Sequence, residues 1–287
     1  MAEPLVSIVI PAYNNEQYIA ETLRSALSQD YAHYEVVVAD HSSIDATAEI
    51  IAGFAGDPRL RILTPTPEGG GALANWNRVS QAAKGEYLKL VCGDDLIEPD
   101  ALTLQVQALL DHPSAVLVSS QRRLIDADGK VFLRRRGLQG LEGLTKGEDA
   151  VRATVRAGTN VFGEPACSLI RRKTLEDVGW WDNTHPYLID EATLVAICGR
   201  GDVVALKSVL ASFRVSGGQW SFRLAASQSE QVRGFHRQLL MKGDFPLRRS
   251  DVLIGDARAI VTAYARKLAY LRLRNRMGHS AVVESTV

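Results

Sequence analysis

LVSIVIPAYNNEQYIAETLRSALSQDYAHYEVVVAD, Leu5–Asp40, is the stretch that decides the fold. It opens on LVSIVI, rich in β-branched residues, and breaks at Pro11. Ile19, Leu23 and Ala26 then recur at the spacing of one helix face, and YEVVVAD returns to a strand pattern. The order is strand, loop, helix, strand. The rhythm continues downstream: a helix is expected through Ile44 to Phe54, LRIL (Leu60–Leu63) leads into a helix through Ala72 to Ala83, and EYLKLV (Glu86–Val91) precedes an acidic doublet. A helix ending near Leu110 follows, with Pro99 in its first turn. Strand-helix units in series predict an α/β protein whose parallel, twisted sheet is covered on both faces.

After AVLVSS (Ala115–Ser120) the rhythm changes, because IDADGKVF places the tight-turn pair Asp128-Gly129 between two short strand-like runs. Helical patterns return around Lys146–Arg156 and Leu188–Ile197, with short strands expected near Val203–Ala205 and Val209–Phe213. No internal repeat or low-complexity linker separates these parts, which favours one domain with an elaborated second half. Beyond Gly217-Gly218 the chain reads as helical. Its last segment, ARAIVTAYARKLAYLRLRNRM, sets Arg258, Arg266, Lys267, Arg272, Arg274 and Arg276 among apolar residues. Two readings suit it: an amphipathic helix packed on the domain with a solvated basic face, or a peripheral contact with anionic lipid.

Composition narrows the function. The 287 residues are 46% hydrophobic and 23% charged with a formal net charge of zero, which excludes wholesale disorder and a polyanion binder driven by bulk charge. Nucleic acid is not an expected partner. Cys92, Cys167 and Cys198 form no zinc or disulfide pattern and are expected to be reduced. MAEPLVSIVIPAY fits neither a signal peptide nor a membrane span, so a cytoplasmic location is expected, with the inner membrane face still open.

In an open parallel sheet, ligands gather at the carboxyl ends of the strands. Three polar segments sit at such ends: PAYNNE, ADHSSID and CGDD. Any one of them alone could be a cap or an N-terminal acid of a helix; on one rim they form a pocket. The adjacent carboxylates of Asp94 and Asp95 suit Mg²⁺ or Mn²⁺, which takes oxygen ligands and bridges substrate phosphates. Group transfer from a nucleotide-activated donor is the matching reaction class. Gly69-Gly70-Gly71 lacks the lysine and hydroxyl of a phosphate-gripping loop and reads as a flexible loop, which argues against a kinase or ATPase.

VSIVIPAYNNEQYIAETLRSALSQDYAHYEVVVADHSSIDAT and NWNRVSQAAKGEYLKLVCGDDLIEPDAL together resemble the nucleotide-binding half of a family 2 glycosyltransferase of the GT-A fold. The likeness is strong over Val6–Leu102 and looser to about Phe213. It implies a GT-A domain over 1–215, nucleotide-binding in 1–102 and acceptor-binding and catalytic in 103–215, with a C-terminal helical extension over 216–287. By position it places Pro11, Ala12 and Tyr13 along the nucleoside, Asp40 at the base or ribose, and Asn77 near the donor. Gly93, Asp94 and Asp95 fall at the sugar-nucleotide and metal site, Asp94 matching the last acid of the DxD signature. Two departures stand out: His41 occupies the place of a second base-binding acid, and Cys92 that of the first DxD acid.

The resemblance also locates the second half of the site. WWDNTHPYLIDEATLVAICGRGDVV is similar to the segment whose acid lies beneath the sugar, with Asp190 and Glu191 as candidate bases; a plain N-terminal acid pair is the alternative. Trp180 and Trp181 would floor a sugar site or else fill the core. Arg214, Gln219, Trp220 and Ser221 of FRVSGGQWS are candidates to contact the diphosphate or acceptor, whereas His33, His112 and His185 read as surface or capping residues. The implied activity is metal-dependent, inverting transfer from a nucleoside-diphosphate-sugar donor to a glycan or lipid-linked acceptor in cell-surface polysaccharide biosynthesis. Its competitors are a nucleotide-sugar-binding protein without turnover and a nucleotidyltransferase.

Overall fold

The structure is a computed structural model, and residues 3–217 and 227–273 are described. The first half alternates as expected: β1 (Val6–Ala12), α1 (Ile19–Leu27), β2 (Tyr34–Asp40), α2 (Thr47–Ala52), β3 (Leu60–Ile62), α3 (Gly71–Ala82) and β4 (Tyr87–Leu90). These strands pair in parallel in the order β3-β2-β1-β4. Every residue of β1 is buried, because helices cover both faces of the sheet. Alternate side chains serve opposite layers. Val6, Ile8 and Ile10 pack with Ile19 and Leu23 of α1, while Val9 joins Val37 and Val79 on the other face. Each such burial contributes roughly 1.5–3 kcal/mol before chain entropy is set against it.

The second half holds β5 (Leu96–Ile97), α4 (Ala101–Asp111), β6 (Ala115–Ile125), β7 (Val131–Arg136), β8 (Gly143–Thr145), α5 (Gly147–Ala157), β9 (Ser168–Arg171), α6 (Arg172–Asp177), α7 (Ile189–Cys198) and β10 (Asp202–Arg214). The complete sheet runs β3-β2-β1-β4-β9-β6-β10-β5, with β7 on β6 and β8 on β10. The two short strands expected near Val203 and Val209 are one long strand, β10, whose register against β6 slips between Leu206 and Val209 and again between Val209 and Ala211. Those bulges interrupt the apolar alternation that a sequence reading relies on. β9 runs antiparallel to both β4 and β6 and stitches the halves into one sheet. Below this seam the Lys89 ammonium is wholly buried and donates to Gln105 Oε1 at 2.8 Å and the Ser168 carbonyl at 3.4 Å; burial pushes its pKa down to about 7.

Two further helices, α8 (Gln228–Lys242) and α9 (Arg249–Leu273), close the described chain. α9 lies so near α5 that a Cβ on Gly255 would stand 1.9 Å from the Val155 carbonyl oxygen. Asp251, buried at the start of α9, accepts from Arg152 Nε at 3.0 Å and Arg156 Nη1 at 2.7 Å. All three cysteines are free. No helix among the described residues is long and apolar enough to cross a membrane.

Candidate active site

The loops leaving β1 and β2 are tied to one another before any ligand arrives. Asn75 of α3, buried, donates from Nδ2 to the carbonyls of Ala12 at 3.2 Å and Ala39 at 3.0 Å, and Thr66 donates to its Oδ1 at 2.7 Å. Asn14 and Ser42 both take left-handed backbone conformations, with φ of 49° and 53°. Such conformations are costly outside glycine and persist where surrounding bonds fix them. Here the Asn14 amide donates to Ser43 Oγ at 2.9 Å, and the Ile44 amide donates to Asn14 Oδ1 at 3.0 Å. Asp40 is buried at the end of β2 and accepts from both the amide (2.9 Å) and the hydroxyl of Ser43. Pro11 and Ala12 are buried strand residues, so they offer backbone only. Tyr13 is 48% exposed, and its ring lies 5.9 Å from that of His41. His41 Nε2 donates to the Gly69 carbonyl at 2.9 Å, so it anchors the triple-glycine segment. That segment is a helix entrance as well as a loop: Gly69, Gly70 and Gly71 all have positive φ, and α3 starts at Gly71.

Beyond β4 the chain turns at Gly93, where an added Cβ would stand 2.4 Å from Asn15 Oδ1. Only glycine lets the first and fourth strand loops approach this closely. Asp94 is half-buried, while Asp95 is buried and accepts the Arg214 amide at 3.1 Å. Arg214 is the strut of this corner. Its Nε donates to the Asp94 carbonyl at 3.0 Å, Nη1 to the carbonyls of Asp126 and Ala127 at 3.3 Å each, and Nη2 to Glu21 at 2.5 Å. Its guanidinium also lies 4.4 Å from the centre of the Tyr18 ring.

Asp190 opens α7 after a 3-10 turn at Pro186–Leu188. Its Oδ2 accepts from Asn160 Nδ2 at 2.9 Å and its Oδ1 from the Glu191 amide at 2.8 Å. Burial, with Glu164 adding to it, pushes its carboxyl up to about 6. Glu191 stands about 100° further round the helix and faces the core. It is 1% exposed, its Oε1 meets no hydrogen-bond partner among the described residues, and burial with Asp190 beside it pushes it up to about 8. Glu191 thus lies in the core, whereas Asp190 keeps part of its surface open.

The acids converge. Burial raises the Cys92 thiol well above its ordinary value, and Asp95, Asp94, Asp190 and Glu164 each raise it further. Burial, Asp94 and Glu164 likewise hold Asp95 well above the usual carboxylate range. Cys92, Asp94 and Asp95 thus share one corner in which burial disfavours each added negative charge. Among the described residues no three acids, histidines or cysteines stand together as a ready-made metal cage, so a hard divalent cation here would rest on the accessible carboxylate of Asp94 with oxygens of the ligand and water.

Three members of the site escape a reading of the sequence. Glu164 forms an ion pair with Arg122, and Asn160 orients Asp190. The only signal for Arg122 is the charged QRRL interrupting an apolar strand, and NVFGEPA around Glu164 has no period at all. Trp181 is buried: its indole donates to Ser80 Oγ at 2.9 Å and stands edge-on to Trp76 at 5.1 Å. Asn77 accepts the Trp181 amide at 3.0 Å and donates to its carbonyl at 3.5 Å, so its side chain fastens this tryptophan to α3. Trp180 is half-buried in a left-handed conformation, φ 71°. Gln219, Trp220 and Ser221 lie outside the described residues.

The sequence model of glycosyl transferase family 2 matches residues 7–179. Chondroitin synthase of Pasteurella multocida is 39% identical over 130 residues, 45% of this chain and 13% of that one, so the chain spans a small part of that relative's length. Among solved structures, S. aureus TarS 1–349 in complex with UDP-GlcNAc matches with a TM-score of 0.68 at 17% identity, covering 95% of this chain and 78% of that one. The mannosyltransferase PcManGT from Pyrobaculum calidifontis, in complex with GDP-Man and Mn²⁺, matches with a TM-score of 0.64 at 20% identity, covering 98% and 77%. At these identities the structural likeness speaks for a shared fold.

Proposed function

Because the chain belongs to glycosyl transferase family 2, we propose that it moves a sugar from a nucleoside diphosphate donor to a hydroxyl of a glycan or lipid-linked acceptor, with inversion, in the assembly of a surface polysaccharide. The observation that carries this reading is the rim preformed at the strand ends, where Asn75 ties the loops after β1 and β2 and Gly93, beside Asp94 and Asp95, closes on Asn15 next to Tyr13, Asn14 and Asp40.

Each residue has a task its surroundings explain. Tyr13 offers its ring to a base, and Asp40, held by Ser43, presents fixed acceptor oxygens to the base or ribose. Asp190 is the base: a carboxylate made more basic by burial and aimed by Asn160 takes the acceptor hydroxyl's proton as that oxygen attacks the anomeric carbon. Arg214 sets the height of the Asp94-Asp95 corner from below. Asp94, with Asp95 behind it, would hold Mg²⁺ or Mn²⁺, and that ion supplies charge neutralisation for the departing diphosphate. Arg122 pairs with Glu164 and sets a positive charge against that carboxylate near Asp190.

The test is a thermal-shift series with UDP, GDP and their sugars, with and without Mn²⁺, followed by product analysis. One nucleoside diphosphate class should raise the melting temperature, by about 2.7 kcal/mol of stabilisation at a hundredfold excess over Kd, and its sugar should release the diphosphate. Binding without release favours a non-catalytic sugar-nucleotide binder, and release of pyrophosphate from a triphosphate favours a nucleotidyltransferase. No response to any nucleotide would overturn the proposal.

α9 adds a location to this reading. Leu253, Ile260, Val261, Tyr264 and Leu268 are exposed along one side, with Arg258 and Lys267 exposed next to them. An apolar stripe with basic neighbours suits peripheral contact with anionic lipid at the inner face of the membrane. Full-length protein should co-sediment with phosphatidylglycerol vesicles, and Val261→Asp/Leu268→Asp should stay in the supernatant; equal pelleting would remove the membrane contact.

A further inference from the structure

We propose that the acceptor is an anionic glycan, a chain bearing carboxylate or phosphate groups, and that Arg134 and Arg135 of β7 hold those groups beside the site; this rests on the glycosyltransferase reading above. Among the described residues β7 is an edge strand paired with β6 alone, with Ile125 opposite Val131, Leu124 opposite Leu133 and Arg122 opposite Arg136, and its register slips between each of these pairs. Its sequence is VFLRRR, and no acid occurs between Gly129 and Leu141 in a chain whose acids and bases otherwise balance. Arg134 and Arg135 are exposed and have no ion pair or hydrogen bond among the described residues.

Both ends of the strand are pinned to the catalytic corner. At the turn, the Asp126 and Ala127 carbonyls accept from Arg214, whose Nε holds the Asp94 carbonyl. At the other end, the Leu138 amide donates to the Val161 carbonyl at 2.7 Å, and a Cβ on Gly137 would stand 2.9 Å from Arg122 Nη1. Arg122 in turn pairs with Glu164, one of the acids about Cys92. Arg135 and Arg134 are two and three residues before Gly137, roughly 7–10 Å along an extended strand. The strand that carries them is thus held at both ends by residues of the catalytic corner.

The electrostatics call for such a rail. A corner built on the adjacent carboxylates of Asp94 and Asp95 repels an anionic chain unless fixed positive charge lies along its approach. Charged side chains also protect edge strands from pairing with other molecules, a role that lysine fills as well as arginine. The planar guanidinium fork, by contrast, matches carboxylate and phosphate through paired hydrogen bonds, so three successive arginines favour recognition of such groups.

The experiment measures binding of fluorescent oligosaccharides to full-length protein preloaded with nucleoside diphosphate. The probes are a chondroitin oligomer carrying carboxylates, a glycerol-phosphate oligomer carrying phosphodiesters, and a neutral oligomer of N-acetylglucosamine. Wild type should hold one charged probe at least about tenfold tighter than the neutral one, and less tightly as salt rises. The better charged probe tells carboxylate from phosphate. Arg134→Gln/Arg135→Gln should lose that preference, about tenfold or more in Kd, while keeping the nucleotide-induced rise in melting temperature; Arg134→Lys/Arg135→Lys should keep only part of the preference. Equal binding of charged and neutral probes by wild type, or an unchanged preference in the double variant, overturns the proposal. A double variant that loses nucleotide binding instead assigns these arginines to the donor and also overturns it. A wild type that binds no nucleotide sinks the glycosyltransferase reading itself, which separates the two failures.

Discussion

Asp190→Asn lowers kcat by about 10²–10⁴-fold, the usual contribution of a positioned general base, and leaves nucleotide binding in place. The amide keeps the size of the carboxylate but has one oxygen, so it accepts from Asn160 or from the Glu191 amide and not from both, and a modest fall in melting temperature accompanies the loss of turnover. What it cannot do is take a proton. Glu191→Gln is the matched control: its carboxyl is buried in the core and turnover should survive. Stopped assays of diphosphate release with both variants decide between the neighbours, and loss of turnover in Glu191→Gln with retention in Asp190→Asn would reverse the assignment. The pH profile gives a second reading of the same residue. A base raised to about 6 is protonated below that pH, so kcat/KM should fall with unit slope on the acid side and level off above it. Glu191 works through stability instead. Its folded pKa of about 8 lies above the ordinary 4.5, so the folded state binds its proton more tightly, and stability is lost as pH rises from the lower value towards the higher. Glu191→Gln removes that loss and should melt higher than wild type above pH 7.

Asp94→Asn should be nearly as damaging to turnover, about 10²–10³-fold, the scale seen when one stabilising group is removed from a developing negative charge. Its signature differs. Asp94 is half-buried, and it is the Asp94 backbone carbonyl that Arg214 grips, so the corner stays in place while the carboxylate charge goes. The enhancement of nucleotide binding by Mn²⁺ should therefore disappear, with little change in melting temperature. Calorimetric titration of the nucleoside diphosphate, with and without the ion, measures this directly, and an undiminished Mn²⁺ effect would remove Asp94 from the metal site. Asp95→Ala provides the contrast. It strips the buried Arg214 amide of its acceptor and should cost about 1–3 kcal/mol of stability.

Much of this architecture can be read from the chain, and the reason is periodic burial. β1, β2 and β4 are short apolar runs closed by polar residues, and the parallel sheet they imply brings the loops after each strand to one rim. Asp40 and Asp94 are placed by that logic alone. The second half resists it. β9 is only four residues long, β10 is broken by bulges, and Asn160 and Glu164 sit in a stretch without a repeating pattern. α7 is buried around most of its circumference, so the hydrophobic pattern cannot say which of Asp190 and Glu191 faces the pocket. Arg214 joins Asp94 and Asp95 across some 120 residues of chain, a separation the structure gives as 119 and 120. Sequence spacing carries no trace of such a bond.

The antiparallel strand at the seam has a consequence for how such proteins diversify. Because β9 fills the edge that β4 would otherwise leave bare, and meets β6 on its far side, neither portion makes a finished sheet without the other. Recombination between relatives that cut the chain near residue 102 would have to keep this strand compatible with its new neighbour. Variation is accordingly cheaper in the loops and on β7, at the sheet's margin, than at the join.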